Sequence, residues 1–141
     1  MDDTYIIAQK TLAQQGCRWT VPRREVISVF MRYPLPLTVA EVYRRLHDRQ
    51  INLVSVYRAI HLFCRLGILT AVDQVDEGRR YELSDGYLAH HHHLICEACG
   101  AIQDFEGCFL AEFERQVSRA TQFRITRHEL RFFGLCQACS S

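Results

Sequence analysis

From the N-terminus to Gly67 the apolar residues recur at helical spacing, and beyond it the period changes. Ile6, Ile7 and Leu12 lie in a stretch free of Pro and Gly and predict a first helix, which Gly16 ends. Thr20 as N-cap, with Pro22 in the first turn where a missing N–H costs nothing, opens a second helix over about 21–32 that carries Val26, Val29 and Phe30. Pro34 and Pro36 break it. Thr38-Val39-Ala40-Glu41 has the form of a capping box and leads into Val42, Tyr43 and Leu46, a third helix. From Leu53, the residues Val56, Ile60, Phe63 and Leu66 mark a fourth, with Gly67 where a left-handed C-terminal residue is wanted.

Residues 68–75 and 79–83 are β-prone runs around Asp76-Glu77-Gly78, a hairpin turn. Short helices followed by a two-stranded hairpin are the order of a winged helix. In a helix-turn-helix the second helix of the pair enters the major groove, and its N-terminal residues face the bases. Here that segment is Asn52-Leu53-Val54-Ser55-Val56-Tyr57-Arg58, which offers Ser55, Tyr57 and Arg58 as polar or aromatic reach. The plainer alternative is a small helical domain with an exposed basic face.

Composition changes the picture in three ways. The formal charge of +1 over 141 residues averages an uneven distribution: residues 18–65 hold nine Arg against Glu25, Glu41 and Asp48, a local balance of +6. A basic module that meets an anion and a second module with another task are implied. No apolar run approaches the roughly 18 residues of a membrane span, and the start lacks a signal-peptide pattern, so a cytoplasmic protein without membrane attachment is expected. Seven cysteines are an odd count in a reducing compartment, which favours metal ligation over a disulfide framework.

Cys96-Glu97-Ala98-Cys99 and Cys136-Gln137-Ala138-Cys139 form two C-x2-C pairs. Four thiolates complete tetrahedral Zn(II) and leave no open position, so the expected site is structural, with one zinc per chain. The 36 residues between the pairs exceed zinc-ribbon spacing, and something folded must fill them. Residues 101–105 and 124–133 read as strands, with Phe109, Phe113 and Val117 as a helical stripe between them. Cys17, Cys64 and Cys108 match no pair and are expected to be buried small hydrophobes. Immediately before the first pair stand four consecutive histidines, His90, His91, His92 and His93. On an extended segment side chains alternate, so His90 and His92 face one way and His91 and His93 the other. One tetrad can thus serve two metal sites, whose nitrogen and oxygen donors are less thiophilic than four thiolates.

These residues together resemble the ferric uptake regulator family of bacterial metal-responsive repressors. The carriers are Val21-Pro22-Arg23, Ser55-Val56-Tyr57-Arg58, the histidine tetrad running into Leu94-Ile95-Cys96, Cys99-Gly100, and Phe133-Gly134-Leu135-Cys136 with Cys139. The resemblance implies an α+β chain: an N-terminal winged helix-turn-helix DNA-binding domain over 1–84, a hinge over 85–89, and a C-terminal α/β dimerisation domain over 90–141 with the four-cysteine structural zinc site. It implies a homodimer on double-stranded DNA carrying an inverted-repeat operator, with the metal-loaded form blocking transcription. Arg23, Ser55, Tyr57 and Arg58 fall at DNA-contacting positions. A regulatory metal would take Glu82, His91, His93 and Asp104, and an additional metal would take His90, His92, His128 and a helix carboxylate. By counting, Ala111 occupies the carboxylate position, and Glu112 beside it restores the ligand with a one-residue shift.

A further departure is Pro36, which stands where the family often has a metal-binding histidine. Its loss weighs against the peroxide-sensing branch. The four remaining donors suit tetrahedral zinc, whereas iron or manganese prefers five or six ligands. A zinc-responsive regulator of metal uptake is therefore expected over an iron-responsive one. A zinc enzyme is disfavoured because the sequence has no H-E-x-x-H and no H-x-E with P-C-x-x-C. A zinc-stabilised interaction module without DNA binding is the other alternative class.

Overall fold

The computed structural model describes residues 3–73, 78–87 and 90–141, with the side chain of Asp73 excepted. The chain divides into two compact units, Met1–Leu88 and Ala89–Ser141. The expected turn at Asp76-Glu77 and the last two residues of the expected hinge, Leu88 and Ala89, lie outside the described residues.

The first unit runs α1 (Asp3–Gln14), α2 (Val21–Arg32), β1 (Leu37–Thr38), α3 (Val39–Arg44), α4 (Leu53–Arg65), β2 (Leu69–Asp73) and β3 (Arg79–Leu83). The signals behind the helices act physically as expected. Gly16 (φ +68) and Gly67 (φ +72) take the left-handed conformation at the ends of α1 and α4. At the second of these, Ile68 N–H donates to Phe63 O (2.8 Å) and Gly67 N–H to Cys64 O (3.1 Å), which satisfies carbonyls the helix leaves over. The capping box is complete: Glu41 N–H donates to Thr38 Oγ1 (3.1 Å) and Thr38 N–H to Glu41 Oε2 (2.8 Å). Thr20 occupies the N-cap of α2, but its hydroxyl makes no capping bond, so Pro22 carries that start. Ile27, Phe30, Val42, Val56, Ile60, Phe63, Ile68 and Leu69 form one buried core.

The sheet of this unit has the order β1-β3-β2, both pairings antiparallel. β1, a two-residue strand just after Pro36, has no hydrophobic period to announce it. It joins β3 with Leu37 opposite Tyr81. Arg80 of β3 reaches back to Glu41 Oε2 (2.7 Å) and Pro36 O (3.2 Å), tying the hairpin to the start of α3. Partial burial works against the Glu41 carboxylate, yet the Thr38 amide and the Arg80 guanidinium hold its pKa below the usual value. Residues 85–87 form a turn, and Tyr87 is bound to α1 through Thr11 Oγ1 (3.2 Å).

The second unit holds β4 (His91–Cys96), β5 (Ile102–Glu106), α5 (Ala111–Thr121) and β6 (Arg131–Gly134). Its sheet order is β5-β4-β6, with β4/β5 antiparallel and β4/β6 parallel. A parallel pair needs a crossover of a dozen or more residues, which accounts for the long interval between the cysteine pairs. The expected strand over 124–133 begins only at Arg131, where pairing to His93 starts. No helix among the described residues is long and apolar enough to cross a membrane.

Phe63 is wholly buried in the first unit. Phe63→Ala should destabilise that unit by about 3–5 kcal/mol. The measurement is urea unfolding followed by Trp19 fluorescence, since the sole tryptophan packs edge-on against Tyr5 in the same unit.

Candidate metal centres and nucleic-acid interface

Both cysteine pairs lie at one end of the second sheet because β4 and β6 run parallel, with Cys96 opposite Gly134. Each pair sits on a turn: Gly100 N–H donates to Cys96 O (2.9 Å), and Cys139 N–H donates to Cys136 O (3.0 Å). One sulfur from each of Cys96, Cys99, Cys136 and Cys139 lies within 4.8 Å of the others. The amides of Cys136 and Cys99 lower the Cys96 thiol to about 6. The neighbouring sulfurs, Cys136 and Cys99 foremost, push Cys139 up to about 12. The first thiolate therefore forms readily and the last is resisted by the others, a conflict that a divalent cation at the centre removes. The donor set suits tetrahedral zinc with no open position.

The tetrad alternates as a strand requires. His91 and His93 lie ring to ring at 5.0 Å on one side of β4, and His90 and His92 at 4.6 Å on the other. On the first side, Asp104 is the cross-strand neighbour of His93, and its Oδ1 lies 3.1 Å from His93 Nδ1. A carboxylate so placed fixes the ring with Nε2 turned to a metal, and its second oxygen remains to act as a donor to the same ion. Glu82, the remaining member of the expected regulatory set, lies on β3 opposite Thr70 in the first unit.

On the other side, His128 Nε2 is 3.0 Å from His90 Nε2, and its ring lies 5.3 Å from that of His92. The helix carboxylate here differs from the expected one. Glu112 ion-pairs with Arg115 (2.6 Å), and Glu114, one half-turn further along α5, meets His128 Nδ1 at 2.6 Å. Cys108 departs further from expectation. It is exposed rather than buried, and its Sγ lies 3.3 Å from His128 Nε2. Cys17 and Cys64 do pack against the first unit's core, and burial raises the Cys64 thiol pKa. Sequence spacing could not expose the placement of Cys108, which belongs to no C-x-x-C pair. For Glu114 the one usable signal was its place two residues beyond Glu112 on the same helix.

In the first unit, α4 is anchored by Val56, Ala59, Ile60, Leu62 and Phe63 on one face. The opposite face exposes Leu53, Val54, Tyr57, Arg58, His61 and Arg65. Asn52 caps the helix by accepting from Ser55 N–H (2.8 Å), and Ser55 itself is half-buried. Tyr57 stacks on His61 with ring centres 4.3 Å apart. His61 was not among the expected contact residues, although its four-residue spacing from Tyr57 announces it. Arg23 is half-buried at the start of α2 and donates to Arg18 O. Pro36, where a histidine ligand was missing, is buried and offers its carbonyl to Arg80.

Comparison with known proteins places this geometry in context. The family model described as the Ferric uptake regulator family matches residues 14–133. A ferric uptake regulation protein of Bordetella parapertussis is 33% identical over 135 residues, covering 93% of this chain and 95% of that protein. The peroxide operon regulator of Bacillus subtilis is 29% identical over 135 residues, covering 94% and 91% respectively. The solved structure of the Helicobacter pylori ferric uptake regulator, described as revealing three functional metal binding sites, superposes with a TM-score of 0.81. It shares 25% identity and covers 98% of this chain and 92% of its own.

Cys96→Ser should remove one tightly held zinc per chain and destabilise the second unit, since structural zinc contributes on the order of 10 kcal/mol of apparent binding free energy. Elemental analysis and a melting curve measure both. Full zinc content with an unchanged melting temperature would show that these sulfurs hold no structural ion.

Proposed function

Because the chain belongs to the ferric uptake regulator family, whose members are metal-responsive transcriptional regulators and not enzymes, we propose that it is a DNA-binding repressor of metal-uptake genes that responds to zinc. The observation that carries this reading is the separation of donor types within one small unit. Four sulfurs form a closed set at the sheet end, while His91 and His93 of β4 and Asp104 of the neighbouring β5 form a nitrogen–oxygen set. A closed thiolate set suits a permanent ion, and a mixed set suits an exchangeable one. Glu82 joins the exchangeable set in this reading. With Pro36 in place of a further histidine, four donors remain, which favours tetrahedral zinc. An iron-responsive repressor is the second reading, favoured by the two carboxylate donors and by the iron-related names of the relatives.

DNA binding is supported by the exposed face of α4, on which Tyr57 and Arg58 stand free of the core, and by the +6 balance of residues 18–65. In this reading Tyr57 meets a base or sugar by its ring, Arg58 a phosphate or guanine edge, Ser55 the same groove, and Arg23 the backbone. A homodimer is supported by the second unit's exposed apolar side chains. Phe109, Phe113, Phe123, Phe132, Phe133 and Leu135 are each 48–84% exposed, more apolar surface than a monomer ordinarily leaves in water. A two-fold dimer carries two copies of α4 and so matches an inverted-repeat operator.

The decisive experiment uses duplex DNA recovered from a random library by the metal-loaded protein, with binding measured against Zn(II), Mn(II) and, anaerobically, Fe(II). Zinc should raise affinity at the lowest free concentration. Linkage requires DNA to tighten zinc binding by the same factor. Arg58→Ala should weaken operator binding by about 1–3 kcal/mol with zinc content unchanged. His91→Ala with His93→Ala should leave a folded dimer that keeps its four-thiolate zinc but no longer gains DNA affinity when metal is added. Since imidazole ligates only when neutral, the response should also weaken on acidification. A double variant that still responds as the unsubstituted protein does would move regulation away from these two histidines.

A further inference from the structure

The second side of the tetrad carries an inference beyond the regulatory reading. His90, His92, His128 and Cys108 each bring one ligand atom within 4.8 Å of the others. In a tetrahedral zinc site with bonds of about 2.0–2.3 Å, ligand atoms lie about 3.3–3.7 Å apart. The separations of 3.0 Å between His90 and His128 and 3.3 Å between Cys108 and His128 are close to that spacing already. We infer that Cys108 is a metal ligand, so that this site is a three-histidine, one-thiolate site selective for zinc rather than a site for a hard, oxygen-preferring cation.

Three features prepare the site. Gly107, at φ +100, turns the chain directly after β5, and the contact between Phe105 and Phe109 (6.4 Å between ring centres) brackets Cys108 on both sides. His128 is oriented by Glu114, whose Oε1 lies 2.6 Å from Nδ1. A carboxylate on Nδ1 places the ring proton there and leaves the Nε2 lone pair pointing at His90 and Cys108, the arrangement that makes an imidazole a good ligand. Glu114 is thus a positioning residue, and Cys108 takes the place that a directly ligating carboxylate would otherwise fill. Exchanging an oxygen donor for a thiolate moves preference from manganese and iron(II) towards zinc.

The test reads metal binding directly and uses no DNA, so its failure would leave the repressor reading intact. The starting protein carries His91→Ala and His93→Ala and has zinc in its four-thiolate set. One equivalent of Co(II) should then give the visible absorption of a tetrahedral ion together with a thiolate-to-cobalt charge-transfer band, and zinc should displace it. Adding Cys108→Ser should abolish that charge-transfer band and weaken cobalt binding at least tenfold, the lower end of what even an outer-shell change costs. Cys108→Asp should keep a site but shift its preference towards Mn(II). An unchanged charge-transfer band in the Ser variant, no cobalt uptake by the starting protein, or an Asp variant with undiminished zinc preference would each overturn the assignment. A second measurement uses the unsubstituted chain. Saturating zinc should slow iodoacetamide alkylation of Cys108, read by peptide mass spectrometry, at least tenfold, and an unaltered alkylation rate would equally overturn it.

Discussion

Four sulfurs gather where β4 and β6 end, in a unit whose described residues include only Ile95 and Cys96 among the buried hydrophobic side chains. Fully burying one aliphatic side chain is worth about 1.5–3 kcal/mol, which cannot offset the entropy of ordering a unit of some fifty residues. α5 does not repair the deficit, since it buries no residue at all. The stability of this unit must therefore come from ligation and from covering its exposed phenylalanines. Small domains without a sufficient core are usually held by metals, disulfides or association, and this unit offers a four-sulfur cluster for the first and exposed phenylalanines for the third.

The first unit obeys the opposite rule. Its core is continuous from Ala8 of α1 to Leu83 of β3 and is built from packed apolar side chains. One face of α4 is committed to that core, and this commitment leaves Tyr57, Arg58 and His61 exposed along the other face. Rigidity of the supporting face and availability of the outward face are two consequences of one amphipathic pattern.

The histidine tetrad joins structure to chemistry through strand geometry. Successive side chains of β4 point to opposite faces, and four identical residues in a row are thereby sorted into two donor sets. Each set acquires a different carboxylate: Asp104 beside His93 from the adjacent strand, and Glu114 beside His128 from α5. Identical ligands thus gain distinct surroundings, the condition under which two sites on one strand can differ in affinity and metal preference.

Features that depend on local chemistry were legible in the order of residues alone. The helix starts and stops at Thr38, Gly16 and Gly67, the hairpin after Gly67, the paired thiolates and the alternation of the tetrad all follow from spacing and from backbone preferences within a few residues. What it left undetermined depends on partners distant along the chain. β1 exists because Leu37 pairs with Tyr81, more than forty positions away, and residues 124–130 stay out of the sheet because β6 finds β4 only from Arg131 onward. Counting along α5 indicated Glu112, yet the approach of His128 selects Glu114, because which carboxylate meets a ring depends on where a separate loop crosses the helix. Cys108 shows the same limit: its composition and spacing describe a small apolar residue, and only the folding of residues 107 and 128 towards one another makes its sulfur a neighbour of three imidazoles. Periodicity fixes faces and ends of elements, but a constellation of ligands is a property of chain crossings, and those are settled by packing in three dimensions.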